Sequence, residues 1–269
     1  MHRRIAIGIA YNGANWHGWQ RQRSPEVLTV QGELERALSQ IAAHPVRSYC
    51  AGRTDARVHA PGQVAHFDVA VERDSKAWID GVNSVLPKSI RVQWAKQVDS
   101  SFHARYSATA RRYEYWIHNA AVASALFDRL LTHVPRTLDV ALMQAEAQCL
   151  LGELDFTSFR ATACDSRTAM RNVHHLRVTR DGERICVDIQ ANAFLLHMVR
   201  NIVGSLLEVG SGRQPAGWLA GLLEARDRRL AAATASPAGL YLCNVRYPKQ
   251  YGLPLAGYSP FAGAQAESG

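Results

Sequence analysis

No apolar run in the chain is long enough to cross a bilayer. The first residues, Met1-His2-Arg3-Arg4-Ile5, lead straight into an alternating segment and hold no signal-peptide core. The expectation is a cytoplasmic protein with no membrane partner. Cysteine is scarce. The five, Cys50, Cys149, Cys164, Cys186 and Cys243, are an odd number with no C-x-x-C pair, which argues for reduced thiols and against a zinc site. A basic amphipathic helix with a bulky apolar face, the mark of a membrane-surface binder, is missing as well. Acids are outnumbered: 23 Asp and Glu stand against 31 Lys and Arg, giving a formal net charge of +8 and a pI near 9.5. A chain of that sign suits an acidic partner, nucleic acid foremost.

The 269 residues are enough for one large domain or two modest ones. Ile5, Ile7, Ile9 and Tyr11 alternate with Ala6, Gly8 and Ala10, which reads as a strand with one small-residue face open to a packed helix. Thr29 caps a helix carrying Val30, Leu34, Ala37, Leu38 and Ile41. Strands follow over 46–50 and 63–69, then a helix over 75–85 and a strand over 90–94. Beyond a basic loop, Tyr113, Tyr115 and Ile117 share one face of a further strand, residues 120–138 read as irregular, and Asp139 caps a helix to Leu151. Residues 155–160 look turn-like. Asp181-Gly182 marks a hairpin between strands 173–178 and 185–190. The segment 197–209 is apolar on most sides, hence a buried helix stopped by Gly210 and Gly212. A helix over 218–229 and a last strand to Tyr247 complete the chain. The order strand, helix, strand, strand, helix, strand thus occurs twice, without any repeat of sequence. It predicts an α+β protein of two similar lobes. The first covers 1–106 and the second 107–250, and residues 251–269, rich in Gly, Ala and Ser, form a loose tail.

Two places carry chemistry. In Cys50-Ala51-Gly52-Arg53-Thr54-Asp55-Ala56-Arg57-Val58-His59-Ala60 a single acid lies two residues from an arginine on either side, on a loop between two strands. Such a loop suits one carboxylate set against a phosphate-bearing substrate, since guanidiniums seek phosphate. The plainer alternative is a turn residue whose side chain caps its own backbone. The second place is Arg200, a guanidinium within the most apolar helix of the chain. Left unpaired in a core it would cost several kcal/mol. It calls for a carboxylate or phosphate, unless it snorkels to the surface along a buried stem. His197 and Asn201 add polar groups to the same turn. The loop after the first strand mixes Trp16 and Trp19 with Arg21 and Arg23, which fits either RNA contact or a capped core edge.

These motifs, in this order, resemble the tRNA pseudouridine synthase A family from Tyr11 to Pro248. Ala51-Gly52-Arg53-Thr54-Asp55 with Val58-His59-Ala60 looks like its catalytic loop, and Phe102-His103-Ala104-Arg105 with Arg111-Arg112-Tyr113 looks like its tyrosine motif. Asp155-Phe156-Thr157-Ser158-Phe159 and His197-Met198-Val199-Arg200-Asn201-Ile202-Val203-Gly204 are similar to its later signatures. The resemblance implies a pseudouridine synthase fold, two lobes around a continuous, mainly antiparallel sheet with a basic central cleft. It implies conversion of uridine to pseudouridine at positions 38, 39 and 40 in the anticodon stem-loop of tRNA, without metal or cofactor, by a homodimer. Asp55 matches the catalytic aspartate, Arg200 the arginine paired with it, and Tyr113 the tyrosine that stacks on the target base. Arg53 matches the arginine that holds the flipped nucleotide. Arg21, Arg23, Arg105, Arg111 and Arg167 are the further RNA-contact candidates. Two positions depart from the family pattern. Arg57 stands where the family has glycine, so a positive φ there would be strained by roughly 1–2 kcal/mol, and Arg57 either points outward or pairs with Asp55. Ala169 stands where the family often has proline.

Overall fold

The computed structural model describes residues 3–22, 27–254 and 257–261. Strand β1 (Arg3–Tyr11) is central to a first sheet of order β2-β3-β1-β4, with β2 at Ser48–Cys50, β3 at Ala60–Val69 and β4 at Ile90–Val98. Ile7 lies opposite Ala65 of β3 and Ala95 of β4, both pairings antiparallel. The space beside Gly8, expected to admit a helix, is filled by the indole of Trp94, the residue opposite it on β4. Helix α1 (Val30–Ala42) begins where Thr29 accepts a hydrogen bond from the Gly32 amide and buries Leu34, Ala37 and Leu38. The segment expected to be helical over 75–85 forms a wide π turn, Ala77–Gly81, that runs into α2 (Val82–Val85).

The second sheet has the order β10-β5-β9-β8-β7. Its strands are β5 (Ala110–His118), β7 (Gly152–Asp155), β8 (Met170–Asp181), β9 (Arg184–Ala191) and β10 (Leu240–Arg246), and a two-residue β6 (Thr132–His133) pairs with β5 in parallel. All other pairings are antiparallel. Asp181-Gly182 does turn a hairpin, between β8 and β9. β7 was not foreseen, since Gly152-Glu153-Leu154-Asp155 is too short and too polar to show a period. Helix α3 (Val140–Ala147), capped by Asp139, helix α4 (Met198–Gly210) and helix α5 (Trp218–Ala225) complete this half. Gly210 lies inside α4, and the stop falls at Gly212, whose φ of +71° only glycine adopts freely.

The sheet that the resemblance implied to be continuous is two sheets, joined among the described residues by one isolated β-bridge. His59 forms a single parallel bridge with Tyr241, through amides His59 to the Leu240 carbonyl (3.0 Å) and Leu242 to the His59 carbonyl (3.0 Å). Gly62 permits the close approach, because a Cβ there would run into the Cys243 carbonyl. The tail is not loose where it is described. Over 257–261 it packs on the second sheet, with Phe261 edge-on to Trp116 and Tyr241 and the Ser259 hydroxyl on Glu114. The five cysteines are free thiols.

Candidate active site

The loop that carries Asp55 is fixed from both sides before its side chain is placed. The Ala51 amide donates to Val64 of β3, and the Gln63 side chain donates to the Gly52 carbonyl at 2.7 Å. Thr54 is bonded twice: its hydroxyl meets the Tyr11 hydroxyl at 2.7 Å and its carbonyl accepts from the Trp19 amide. Trp16 and Trp19 are buried at 8% and 1% exposure, so they cap the core edge and are not free for RNA. His59 closes the loop: it accepts the Gly13 amide on Nδ1, lies against the Arg129 carbonyl through Nε2, and stacks on the Tyr241 ring. Burial lowers its pKa.

On this frame the backbone of Asp55 turns, its carbonyl accepting from the Val58 amide, while its carboxylate leaves the loop and faces α4. Oδ2 is 3.0 Å from Nη1 of Arg200 and 3.2 Å from Nε2 of His197. Arg200 does not snorkel: its side chain is 13% exposed, and Nε donates to the Ala235 carbonyl at 2.8 Å. α4 is rigid at this end because buried Asn201 donates to the Phe159 carbonyl and accepts from Arg228 and Thr234. The Asp155–Phe159 motif therefore contributes packing: Phe156 and Phe159 are fully buried, and the Ser158 hydroxyl donates to the Leu222 carbonyl.

Tyr113 of β5 lies across from the loop. A Cβ placed on Gly52 would stand 3.5 Å from its hydroxyl, and Phe194 meets its ring edge-on at 5.0 Å. Burial raises its pKa, the charge of Arg111 opposes the rise, and the charge of Asp55 adds to it. The side chains of Asp55, Arg200, Tyr113 and His197 line one cleft of about 2210 Å³, together with Arg21, Arg53 and Arg105, all three exposed.

The other candidates are placed differently. Arg111 belongs to the cleft wall but is buried at 9% exposure, its two Nη atoms donating to the carbonyls of Ala51, Arg105, Ala108 and Asn192. These bonds join the carboxylate loop to β5. Arg167 is exposed but does not line the cleft, and Arg23 lies outside the described residues. Arg57 has φ +66°, the left-handed value expected of the family glycine. Its side chain is exposed and its amide donates to the Trp16 carbonyl. Among the described residues it makes no ion pair with Asp55 and does not line the cleft.

Reading the sequence alone missed that His197 reaches the carboxylate. The available signal was its spacing of three from Arg200, which puts both on one side of a helix. Its own backbone, φ +61° at the head of α4, is visible only in the fold.

A family model described as tRNA pseudouridine synthase matches residues 7–107 and 147–248. The chain belongs to this family, whose members are isomerases. Among curated proteins it is 56% identical over 257 residues to a tRNA pseudouridine synthase A of Klebsiella pneumoniae, covering 96% of this chain and 94% of the relative. Proteins of the same name from Actinobacillus succinogenes and a Shewanella strain are also 56% identical over 96% of the chain, with 97% and 98% of the relatives covered.

Proposed function

We propose that the chain isomerises uridine to pseudouridine at positions 38, 39 and 40 of the anticodon stem-loop of tRNA, acting in the cytoplasm as a homodimer. The observation that carries this reading is the Asp55 carboxylate, held between Arg200 and His197 in a basic cleft. In the reaction the bond from C1′ to N1 of the uracil breaks, the base rotates, and C5 bonds to C1′. The C5 proton leaves and N1 gains one, so no atom is added overall. Asp55 either attacks the nucleoside or assists removal of a sugar proton. Arg200 and His197 hold the carboxylate in place for either step.

Tyr113 fits the face of the target base. Burial favours the neutral phenol, which supports stacking and hydrogen-bond donation more than direct proton uptake from C5. Arg53 projects into the cleft beside Asp55, where a flipped nucleotide exposes its phosphates. Arg21 and Arg105 supply further positive charge.

The test is position-by-position mapping of pseudouridine in tRNA transcripts treated with the unaltered chain and with Asp55→Asn. Product at 38, 39 and 40 is expected from the first. None is expected from the second, while its tRNA affinity stays within about threefold of the unaltered chain. Substantial turnover by Asp55→Asn refutes the assignment.

A further inference from the structure

The wall of the cleft carries aromatic rings that the uridine chemistry does not use. Tyr49, on edge strand β2, is 42% exposed, and Tyr106, on the turn before β5, is 76% exposed. His103 lies between them, 5.8 Å from the Tyr49 ring and 4.4 Å from the Tyr106 ring. Each tyrosine has a guanidinium over it: Arg47 at 5.5 Å from Tyr49 and Arg105 at 5.7 Å from Tyr106. All five side chains line the cleft.

The exposed rings stand on a fixed base. His66, 1% exposed, stacks on Tyr49 at 5.2 Å and meets His103 at 4.6 Å, and the fully buried Phe102 packs edge-on beneath it. The turn bearing Tyr106 is held by its own polar groups. His103 Nδ1 accepts from the Arg105 amide, the His103 amide donates to the Ser107 hydroxyl, and the Ala104 amide donates to His66. Burial and nearby positive charge lower the pKa of both His66 and His103, His66 to about 4. At neutral pH the cluster therefore presents π surface flanked by two arginines. A ring three-quarters exposed on a pre-ordered turn is poor design for a core and good design for a ligand, because the ordering cost is already met. Alternating π faces and guanidiniums match a strand of unpaired nucleotides, bases against rings and phosphates against arginines.

We infer that Tyr49, His103 and Tyr106 form a platform on which unpaired bases of the RNA substrate stack while Arg47 and Arg105 hold the neighbouring phosphates. The inference rests on the proposed RNA substrate. It adds a site for nucleotides other than the uridine being isomerised.

The experiment measures tRNA Kd and steady-state kinetics for Tyr49→Ala, Tyr106→Ala, the double Ala variant and the double Phe variant. Each single Ala substitution is expected to raise Kd and KM roughly tenfold, with the loss in KM rather than kcat. The double Phe variant should restore affinity, since stacking needs the ring and not the hydroxyl. The dependence of log Kd on log salt should keep its slope in the Tyr→Ala variants and become shallower in Arg47→Ala, because only the latter loses a phosphate contact. A double Ala variant that binds within twofold of the unaltered chain overturns the platform, as does a double Phe variant as weak as double Ala. If the unaltered chain neither binds nor modifies tRNA, the functional reading fails first and the platform with it.

Discussion

At the scale of the residue, Asp55 is governed by two donors of different kinds. Arg200 brings a permanent charge on a buried stem, and His197 brings one ring nitrogen from a strained backbone. Arg200→Met removes the permanent charge and leaves the carboxylate with one neutral-capable partner. A fall in kcat of roughly 100-fold or more is expected, with tRNA affinity kept. His197→Gln retains a donor, so its kcat should stay within about tenfold of the unaltered chain. Single-turnover release of the C5 hydrogen as tritium measures both, and equal losses in the two variants would contradict the ranking. Arg57 is a separate case. Its left-handed φ costs roughly 1 kcal/mol, yet glycine adds freedom to the unfolded chain that offsets most of the relief. Arg57→Gly should therefore change unfolding free energy by less than about 1 kcal/mol. Single-turnover chemistry should be nearly unchanged, because the side chain is exposed and does not line the cleft. A large gain in rate would show that Arg57 obstructs the site.

At the scale of the element, the carboxylate loop and β5 form one unit through Arg111. Its guanidinium joins Ala51 of the loop to Arg105, Ala108 and Asn192. Burial lowers its pKa, and among the described residues its hydrogen bonds go to carbonyls. Arg111→Met would leave buried carbonyls without donors, each worth about 1–3 kcal/mol. The expected result is a loss of roughly 3 kcal/mol in urea unfolding, together with a fall in kcat, since the loop that aims Asp55 loses its anchor to Tyr113's strand. Unchanged stability with weakened tRNA binding would return Arg111 to the RNA-contact role first expected of it. The same scale explains the motif at Asp155–Phe159, whose buried rings and Phe159 carbonyl seat Asn201 and thereby the head of α4.

At the scale of the whole molecule, β3 of the first sheet packs along β10 of the second, and His66 of β3 is bonded to the turn that links the two halves. Its Nδ1 accepts from the Ala104 amide, and its pKa is held near 4, with burial the main cause. An ordinary histidine titrates near 6.5. Stability from this group is thus fully present above about pH 6.5. As pH falls from about 6.5 to about 4 the unfolded chain takes up a proton that the folded chain refuses, and stability declines. Below about 4 the folded chain binds it too and the decline stops. Urea unfolding across this window should show a slope of up to about 1.4 kcal/mol per pH unit from His66. His66→Gln, which keeps an acceptor for Ala104, should flatten it. An identical pH profile in the variant would exclude this linkage.

The amino-acid sequence by itself determined the α+β class, the alternation of strands and helices, the caps at Thr29 and Asp139, and the choice of Asp55 and Arg200, while Tyr113 was singled out by the family resemblance. Those signals are local: periods of two and 3.6, a capping hydroxyl, a lone acid on a loop, a lone cation in an apolar helix. Only the tertiary structure decided what each arginine bonds to. Arg111 alternates along β5 like any strand residue, and nothing in its neighbours foretells that four carbonyls converge on it from distant segments. It alone placed Trp16 and Trp19 in the core edge, brought His197 to the carboxylate, and reduced the continuous sheet to a single bridge at His59. Sequence patterns report the face a residue presents along its own element. Partners 145 residues apart, as Arg200 and Asp55 are, are fixed by how the elements pack, and no local pattern contains that distance.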